Sequence, residues 1–578
     1  MKAARSGLFL VTFCLGFNVI WVLPVMDVEG TLDQNYNIGY NIVDFYNVEP
    51  VYGSNQDFKN FVDAAHELGL RVILDVTPNH TSHLHPFAED IRLNGVSSRY
   101  WDFYQHEIIP HNSYGMEQSI SAEGIVYYSG FSSSILNWNW ADAEARKYML
   151  DVYTYWLREY DIDGFRLDVY WGPHGRYGQD GFDRPLRAAL KSAKADILIL
   201  GETGGTGGGT EGQYADRGGG MDMGYDWNLF WTIHPFPSIT GLHERLVNAG
   251  YRPGENSFFF RFLENHDEIR VANRYTDFYK TIPVSAALFL STGIPMLYQG
   301  QEVGMGFQMT GSKEYLARST VNWEYFPRDI LTLHYQKLAQ IRSQFPQFRR
   351  QYENTNGDGQ INSWDKPVQT RLNTSSAAVY AFGRPWPDEN GVVIMNFSGQ
   401  ALEADVDLDP ASWMEWAVIP YVDVDRIAAS NLYSGTVDWV PAGIETLHVS
   451  LEPYGAAVYV LSLDEKRLNL PDLSVRIDPD QEQNRPVSFI LHPNHPNPFN
   501  QETVIRYEVP ETAPVFVEIL DIRGTRIQSW EPGIQDPGAY QITWNGCDSS
   551  GIPLPSGLYI VRLQWKGKSC RDKLMLIR

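Results

Sequence analysis

Charged and imidazole side chains collect at the ends of apolar runs in this chain. Asp75 closes the run RVILDV but for one valine, with Asn79 and His80 just beyond. Arg166 and Asp168 sit in IDGFRLDV, Glu202 follows ILILG, and His266 and Asp267 follow FFFRFLEN. Arg166 and Asp168 are two positions apart, so on a strand they point to the same face. A guanidinium beside a carboxylate favours the ionised form. An ionised, oriented carboxylate at the C-terminal end of a strand is what a nucleophile needs. Alone, an Arg-x-Asp pair is more often a structural ion pair. His80 or His266 alone is more often a satisfied core histidine, and Asp75 is better placed to brace a site than to react. His80, His83 and His85 can be read as a metal cluster, but they sit in a loop with no partner cysteine. The run GGTGGGTEG, from Gly204 to Gly212, lacks the Lys-Ser/Thr of a phosphate loop and reads as a flexible loop near the site.

The elements that must position these residues follow a strand, loop, helix pattern. LGFNVIWVLPV (Leu15 to Val25) reads as a helix end, a glycine turn and a buried strand. Asn55 to Leu70 is amphipathic, with Phe58, Phe61, Val62, Ala65 and Leu68 on one face and Gly69 as its stop. Arg71 to Val76 is a strand, and a long polar and aromatic excursion runs from Thr81 to Trp140. Ala141 to Tyr160 is a helix leading into the strand that carries Arg166. A helix from Arg184 to Lys194 precedes the strand Ile197 to Gly201. Gly224 to Phe230 is a weaker strand candidate, Gly241 to Asn248 a helix, and Phe258 to Leu263 a strand. Ile282 to Leu290 is an apolar helix, Pro295 to Tyr298 a short strand and Asp329 to Phe345 a final helix. Near-continuously apolar strands alternating with helices indicate a parallel sheet covered on both faces. Polar residues at the strands' C-terminal ends predict an α/β fold, a (β/α)8 TIM barrel with its site at that face. An open doubly wound sheet is the alternative, although no Gly-x-Gly-x-x-Gly opens any helix. The expected divisions are barrel over 1–80 and 141–350, an inserted domain over 81–140, a β-sandwich over 351–463, a linker over 464–487 and a second β-sandwich over 488–578.

With 578 residues the chain is too long for one core. A formal net charge of -24 argues against nucleic acid and anionic membranes and favours neutral or cationic ligands. Three cysteines (Cys14, Cys547 and Cys570) exclude a disulfide framework and a cysteine-rich zinc site. Cys547 and Cys570 either pair or stay free. No internal apolar run is long enough to span a bilayer, so no transmembrane segment is expected. Lys2 and Arg5 before Leu8 to Phe13 imitate a signal peptide, but no cleavage site follows.

In order and type, these stretches resemble the α-amylase superfamily, glycoside hydrolase family 13. DVTPNH is similar to that family's first conserved region, GFRLD to its second, ILGET to its third and FLENHD to its fourth. GYNIVDFYNVEPVYGS, ILNWN and GIPMLYQGQE also fit, so the resemblance covers roughly residues 15–463. It implies a retaining glycosidase that acts on α-glucosidic linkages of starch-like glucans or oligosaccharides. Asp168 would be the nucleophile, Glu202 the general acid and then base, and Asp267 the third carboxylate on the distorted sugar. Arg166 would orient Asp168, His80 and His266 would donate to the same sugar, and Tyr40 would stack on its face. A transglycosylase of the same family and a catalytically impaired carbohydrate-binding surface protein are the competing readings. Retention of all three carboxylates speaks against the second.

In many relatives the counterpart of Asn79 binds a structural calcium together with an acid from the inserted domain. Ile135 stands near that acid's place, which puts the calcium in question. The Lys-His that the family often carries after the nucleophile region is absent, the chain reading Val169-Tyr170-Trp171-Gly172, and Asn41 stands where exo-acting relatives often place an aspartate. A second candidate for calcium spans Asn354, Asn356, Asp358 and Asp365, though a polar turn fits those residues better. The last segment resembles the immunoglobulin-like sorting domains of bacterial type IX secretion cargo. Asn497-Pro498-Phe499-Asn500, the turn Asp521 to Gly524 and the basic end from Lys573 to Arg578 carry that resemblance, against a generic spacer sandwich. It implies a secreted or cell-surface bacterial protein and the type IX machinery as partner. The family's first barrel strand precedes LGFNVIW, so the expectation is that the true start lies upstream and residues 1–13 are a truncated or mis-started end.

Overall fold

In the computed structural model, seven apolar strands form one parallel sheet: β1 (Val19–Val22), β2 (Arg71–Val76), β3 (Gly164–Leu167), β4 (Leu198–Gly201), β5 (Met223–Tyr225), β6 (Phe258–Arg261) and β7 (Ile294–Pro295). They lie side by side in chain order. A doubly wound sheet reverses its order at a switch point; this one never does. Val19 and Trp21 of β1 share a hydrophobic cluster with Ile294 of β7. The edges of a flat seven-stranded sheet would stand about 29 Å apart, so this sheet is curled. Ile73, Leu200, Met223, Tyr225 and Phe260 fill its interior. Among the described residues no further strand joins β1 to β7. The arrangement is an open (β/α) barrel.

The structure describes residues 15–30, 39–106, 117–121, 124–128, 134–204, 220–247, 258–275, 277–305, 330–353, 366–415, 424–471, 489–491, 494, 496–509, 513–521, 523–535, 538–549, 551–566 and 568–578. The expected start (1–13), most of the glycine run after Gly204, the turn at 354–365 and most of the linker therefore lie outside the described residues.

Helices cover the sheet as the periodicity requires. Helix α1 (Asn55–Glu67) begins at a capping box between Ser54 and Asp57, and buries Phe58, Phe61, Val62 and Ala65. Helix α2 (Ala143–Tyr160) is capped by Asp142, whose carboxylate accepts from the backbone of Glu144 and Ala145. Helices α3 (Trp171–Gly178) and α4 (Arg184–Ala193) follow β3. The expected strand from Gly224 to Phe230 is corrected: β5 ends at Tyr225, and Trp227–Ile233 is helix α5, with the Asp226 carboxylate accepting from Leu229 N. A short apolar run carries no period that separates strand from helix, and the Asp226 cap decides it. Helix α6 is Ile239–Val247.

Helix α7 (Thr281–Leu290) is buried along its whole length. One face meets the barrel, and another shares a core with Tyr380, Phe382, Val393, Met395 and Val458 of the following antiparallel sheet. Helix α8 (Ile330–Gln344) joins the same core through Leu331, Tyr335, Leu338 and Ile341. Among the described residues that antiparallel sheet has eight strands, and strand Thr370–Thr374 joins its two portions around Leu372, Val379, Ile394, Val406 and Val449. Within the excursion, His80–Ser82 pairs antiparallel with Ile135–Asn137, and Pro86–Asn94 is helical. His85 caps that helix, and His83 Nδ1 lies 3.1 Å from Ser134 O.

The chain divides into two units, Met1–Ser474 and Val475–Arg578. In the second, a three-stranded and a four-stranded antiparallel sheet enclose Phe499, Ile505, Val517, Trp544 and Val561. Asn497 binds the terminal strand twice: its amide donates to Lys573 O at 2.8 Å, and its Oδ1 accepts from Met575 N at 2.9 Å. The Asp521 to Gly524 turn closes with Gly524 at φ +85, a left-handed position that favours glycine. Cys547 and Cys570 are both free thiols. Among the described residues no helix is long and apolar enough to cross a membrane.

Candidate active site

The ends of β2, β3 and β4 bring three carboxylates around one arginine. In the parallel register Asp75 pairs with Arg166, and Leu167 pairs with Gly201. Asp168 and Glu202 each follow the last strand residue, and Glu202 N donates to Leu167 O at 3.0 Å. Arg166 Nη1 donates to Asp75 Oδ1 at 3.0 Å and to Asp168 Oδ1 at 2.7 Å. Its Nε donates to the Tyr225 hydroxyl at 3.1 Å, and its Nη2 lies 3.1 Å from Glu202 Oε2. The Arg166 and Asp75 side chains are wholly buried, whereas those of Asp168, Glu202 and Asp267 are 11%, 16% and 40% exposed. Arg166 and Asp75 therefore hold the site from beneath, and the other three carboxylates face its opening.

Aromatic side chains close the cluster from the side. Tyr40 donates its hydroxyl to Asp75 Oδ2 at 2.9 Å and lies 3.1 Å from His266 Nε2, on which its ring stacks. His266 Nε2 is also 3.1 Å from Asp267 Oδ2. The Trp21 indole donates to Asp75 Oδ2 at 3.1 Å, and its ring meets His266 edge to face. The amide of Asn79 approaches His80 Nδ1 at 3.2 Å, and His80 Nε2 lies 3.2 Å from Tyr40 O. This arrangement assigns the His80 proton to Nε2. Burial pushes the pKa of His80 down to about 4, which keeps it neutral.

The electrostatics divide the carboxylates. Burial raises all three, with the Arg166 charge opposing: Asp75 to about 6, Asp168 to about 7 and Glu202 to about 8. The order follows from geometry. Arg166 Nη1 makes directed hydrogen bonds to Asp75 and Asp168, while Nη2 is near Glu202 without hydrogen-bond alignment. Asp168 and Asp267 also raise Glu202 by repulsion. Carboxyls whose environments separate their pKa values take different protonation roles. Burial and the repulsion from Asp168 and Asp267 favour the protonated form of Glu202.

The backbone between them is strained. Val169 has φ +48, the left-handed region that a β-branched residue adopts at a cost of about 1–3 kcal/mol. This conformation aims Val169 N at Glu202 Oε2, at 2.6 Å. The strained peptide follows Asp168 directly and so ties the ends of β3 and β4 together.

The structure thus gathers Tyr40, Arg166, Asp168, Glu202, His266 and Asp267, with His80 beside them. Asn79 lies apart: its Oδ1 accepts from Arg176 Nη2 at 2.6 Å. Trp21 and Tyr225 belong to the site but were not singled out from the sequence. Their signal is parity, since both occupy inward positions of parallel strands.

The profile of the alpha amylase catalytic domain matches residues 13–337, and that of the FlgD Ig-like domain matches residues 497–568. A cyclomaltodextrinase of Geobacillus thermopakistaniensis is 28% identical over 463 residues, covering 77% of this chain and 68% of the relative. An intracellular maltogenic amylase of Bacillus subtilis is 28% identical over 318 residues, covering 54% of this chain and 49% of the relative. The chain thus spans between about half and two thirds of these relatives' length. The solved alpha-amylase of Geobacillus thermoleovorans superposes with a TM-score of 0.59 at 20% identity, covering 79% of this chain and 91% of that one. A parallel barrel in chain order, carboxylates at three adjacent strand ends and a catalytic-domain match over more than half the length agree: the chain belongs to the alpha-amylase family of glycosidases.

Proposed function

We propose that the chain is a secreted retaining glycosidase that cleaves α-glucosidic linkages of starch-like glucans or oligosaccharides through a covalent glycosyl-enzyme. One observation carries this reading: a single buried guanidinium reaches both Asp168 and Glu202 at the ends of adjacent strands. Asp168 attacks the anomeric carbon while Glu202 gives its proton to the departing oxygen. The glycosidic bond breaks, and an ester to Asp168 forms. Glu202, now ionised, takes a proton from the water that attacks the same carbon, and the ester bond breaks to restore the Asp168 carboxylate. Two inversions give net retention. A retaining pair stands about 5–5.5 Å apart, a spacing that adjacent strand ends can supply. Asp267, the most open of the carboxylates, holds sugar hydroxyls and the developing positive charge. The relatives' names, a cyclomaltodextrinase and a maltogenic amylase, support an α-glucan substrate.

The test is reducing-sugar release from starch, glycogen and maltooligosaccharides, with the anomer of the first product read by proton NMR. The α-anomer is expected first; initial β-anomer would end the retaining reading. The pH profile follows from the same carboxyls. As pH rises through about 8, Glu202 loses its proton and acid catalysis fails; as pH falls through about 7, Asp168 gains one and the nucleophile is lost. kcat/KM is therefore expected to peak between these values and to fall on both sides. An activity that keeps rising to pH 10 would remove Glu202 from the acid role.

The terminal Ig-like domain is proposed to direct export by the type IX machinery. The support is that Asn497, at the head of the domain, is anchored on the basic terminal strand by paired hydrogen bonds. In a host that carries this machinery, the full chain is expected in the medium or on the surface. A chain ending at residue 487 should stay inside with its hydrolytic activity intact; export of both forms alike would exclude the sorting role.

A further inference from the structure

The family resemblance brings a structural calcium to the Asn79 amide oxygen, yet protein groups occupy that oxygen's surroundings. Arg176, on α3, donates from Nη2 to Asn79 Oδ1 at 2.6 Å and lies 3.5 Å from Asn79 O. Gly172, one turn earlier on α3, packs so closely that a Cβ there would stand 2.4 Å from Oδ1. Ile135, near the place of the family's acidic ligand, is buried and apolar and pairs with Ser82. Calcium takes six to eight oxygens, carboxylates prominent among them. Among the described residues no group of three or more His, Cys, Asp or Glu gathers to hold a metal. These residues do not fit calcium.

They do fit a different cation. Among the described residues, the oxygens that meet the Arg176 guanidinium are neutral: the Asn79 amide, the Asn79 carbonyl and the Tyr177 hydroxyl. Arg176 is nearly fully buried, at 7% exposure, so its charge faces protein rather than water. A divalent ion brought to the same amide oxygen would meet this fixed charge at close range in a low-dielectric interior, where repulsion is strong. The contacts also run where a structural ion would tie the fold. The Tyr177 hydroxyl donates to Trp138 O at 3.2 Å, and Trp138 N donates to Asn79 O at 2.9 Å. We propose that Arg176 replaces the divalent cation in this chain. Its guanidinium fastens the loop after β2 to α3 and, through Tyr177 and Trp138, to the inserted segment.

None of the tests depends on catalysis. Thermal midpoints of the full chain, dialysed against EDTA or supplied with millimolar calcium, should agree. Arg176→Met should lower the midpoint by about 5 °C under both conditions, since it leaves the buried Asn79 oxygen unpaired. Arg176→Lys keeps the charge and should lower it less. Calorimetric titration of calcium into the dialysed parent should give no binding heat that Asn79→Ala removes. A calcium-dependent rise in midpoint, or a binding heat, that disappears in Asn79→Ala overturns the proposal. A fully stable Arg176→Met chain overturns it as well. Should Arg176→Met fail to fold, the calcium titrations of the parent and Asn79→Ala decide.

Discussion

Asp168→Asn is expected to lower kcat by roughly four or more orders of magnitude on any α-glucan that the parent cleaves. The amide matches the carboxylate in shape but cannot form the glycosyl ester. Its oxygen can still accept from Arg166 Nη1, which now sits 2.7 Å from Asp168 Oδ1, so the local structure should survive. KM should change little, because sugar contacts made by Asp267 and His266 remain. Stability should not fall either. The substitution removes one negative charge from a buried cluster whose carboxyls are raised by burial, and ionisation of such groups destabilises the fold. Reducing-sugar assays beside circular dichroism separate the two effects. A folded variant within tenfold of the parent would sink the nucleophile assignment.

Arg166→Met is expected to cost stability as well as activity. Arg166 is the cation among Asp75, Asp168 and Glu202, and breaking a buried ion pair on one side typically costs about 3–5 kcal/mol. The loss should depend on pH, with a definite sign. Without the guanidinium the three carboxyls titrate still higher than in the parent, where they already stand above ordinary values. The folded state then binds more protons than the unfolded state, so stability falls as pH rises. The variant should be most stable near pH 5, where the cluster is protonated, and should weaken steeply through neutrality. Denaturant titrations at several pH values check this. A pH-independent loss would mean that Arg166 acts through packing alone.

The carboxylates were legible because each stands where an apolar strand ends, a place where a charge serves no packing purpose. The barrel was legible for a related reason: strands buried on both faces read as unbroken apolar runs. Other features depend on distance in sequence. Arg176 meets Asn79 across 97 positions, and Arg166 meets Tyr225 across 59. Only the folded chain brings such pairs together. Trp21 read as core, and core it is, except for one indole N–H aimed at Asp75. The first residues of helix α5, Trp227 to Phe230, read as the end of a strand because the run is short and mostly apolar, and the Asp226 cap outweighs that composition.

Strand β1 is hydrogen-bonded along one side only among the described residues, yet it carries Trp21 against Asp75 and His266. Proteins open segment by segment, and segments with the fewest anchoring contacts open at the lowest free energy. Release of this edge would withdraw the indole from Asp75 while β2 to β6 stay paired. Catalytic competence and global integrity therefore have different thresholds in this fold. Mild heat or denaturant should lower activity before the fold melts, because the chemistry leans on a strand that, among the described residues, is hydrogen-bonded along one side only.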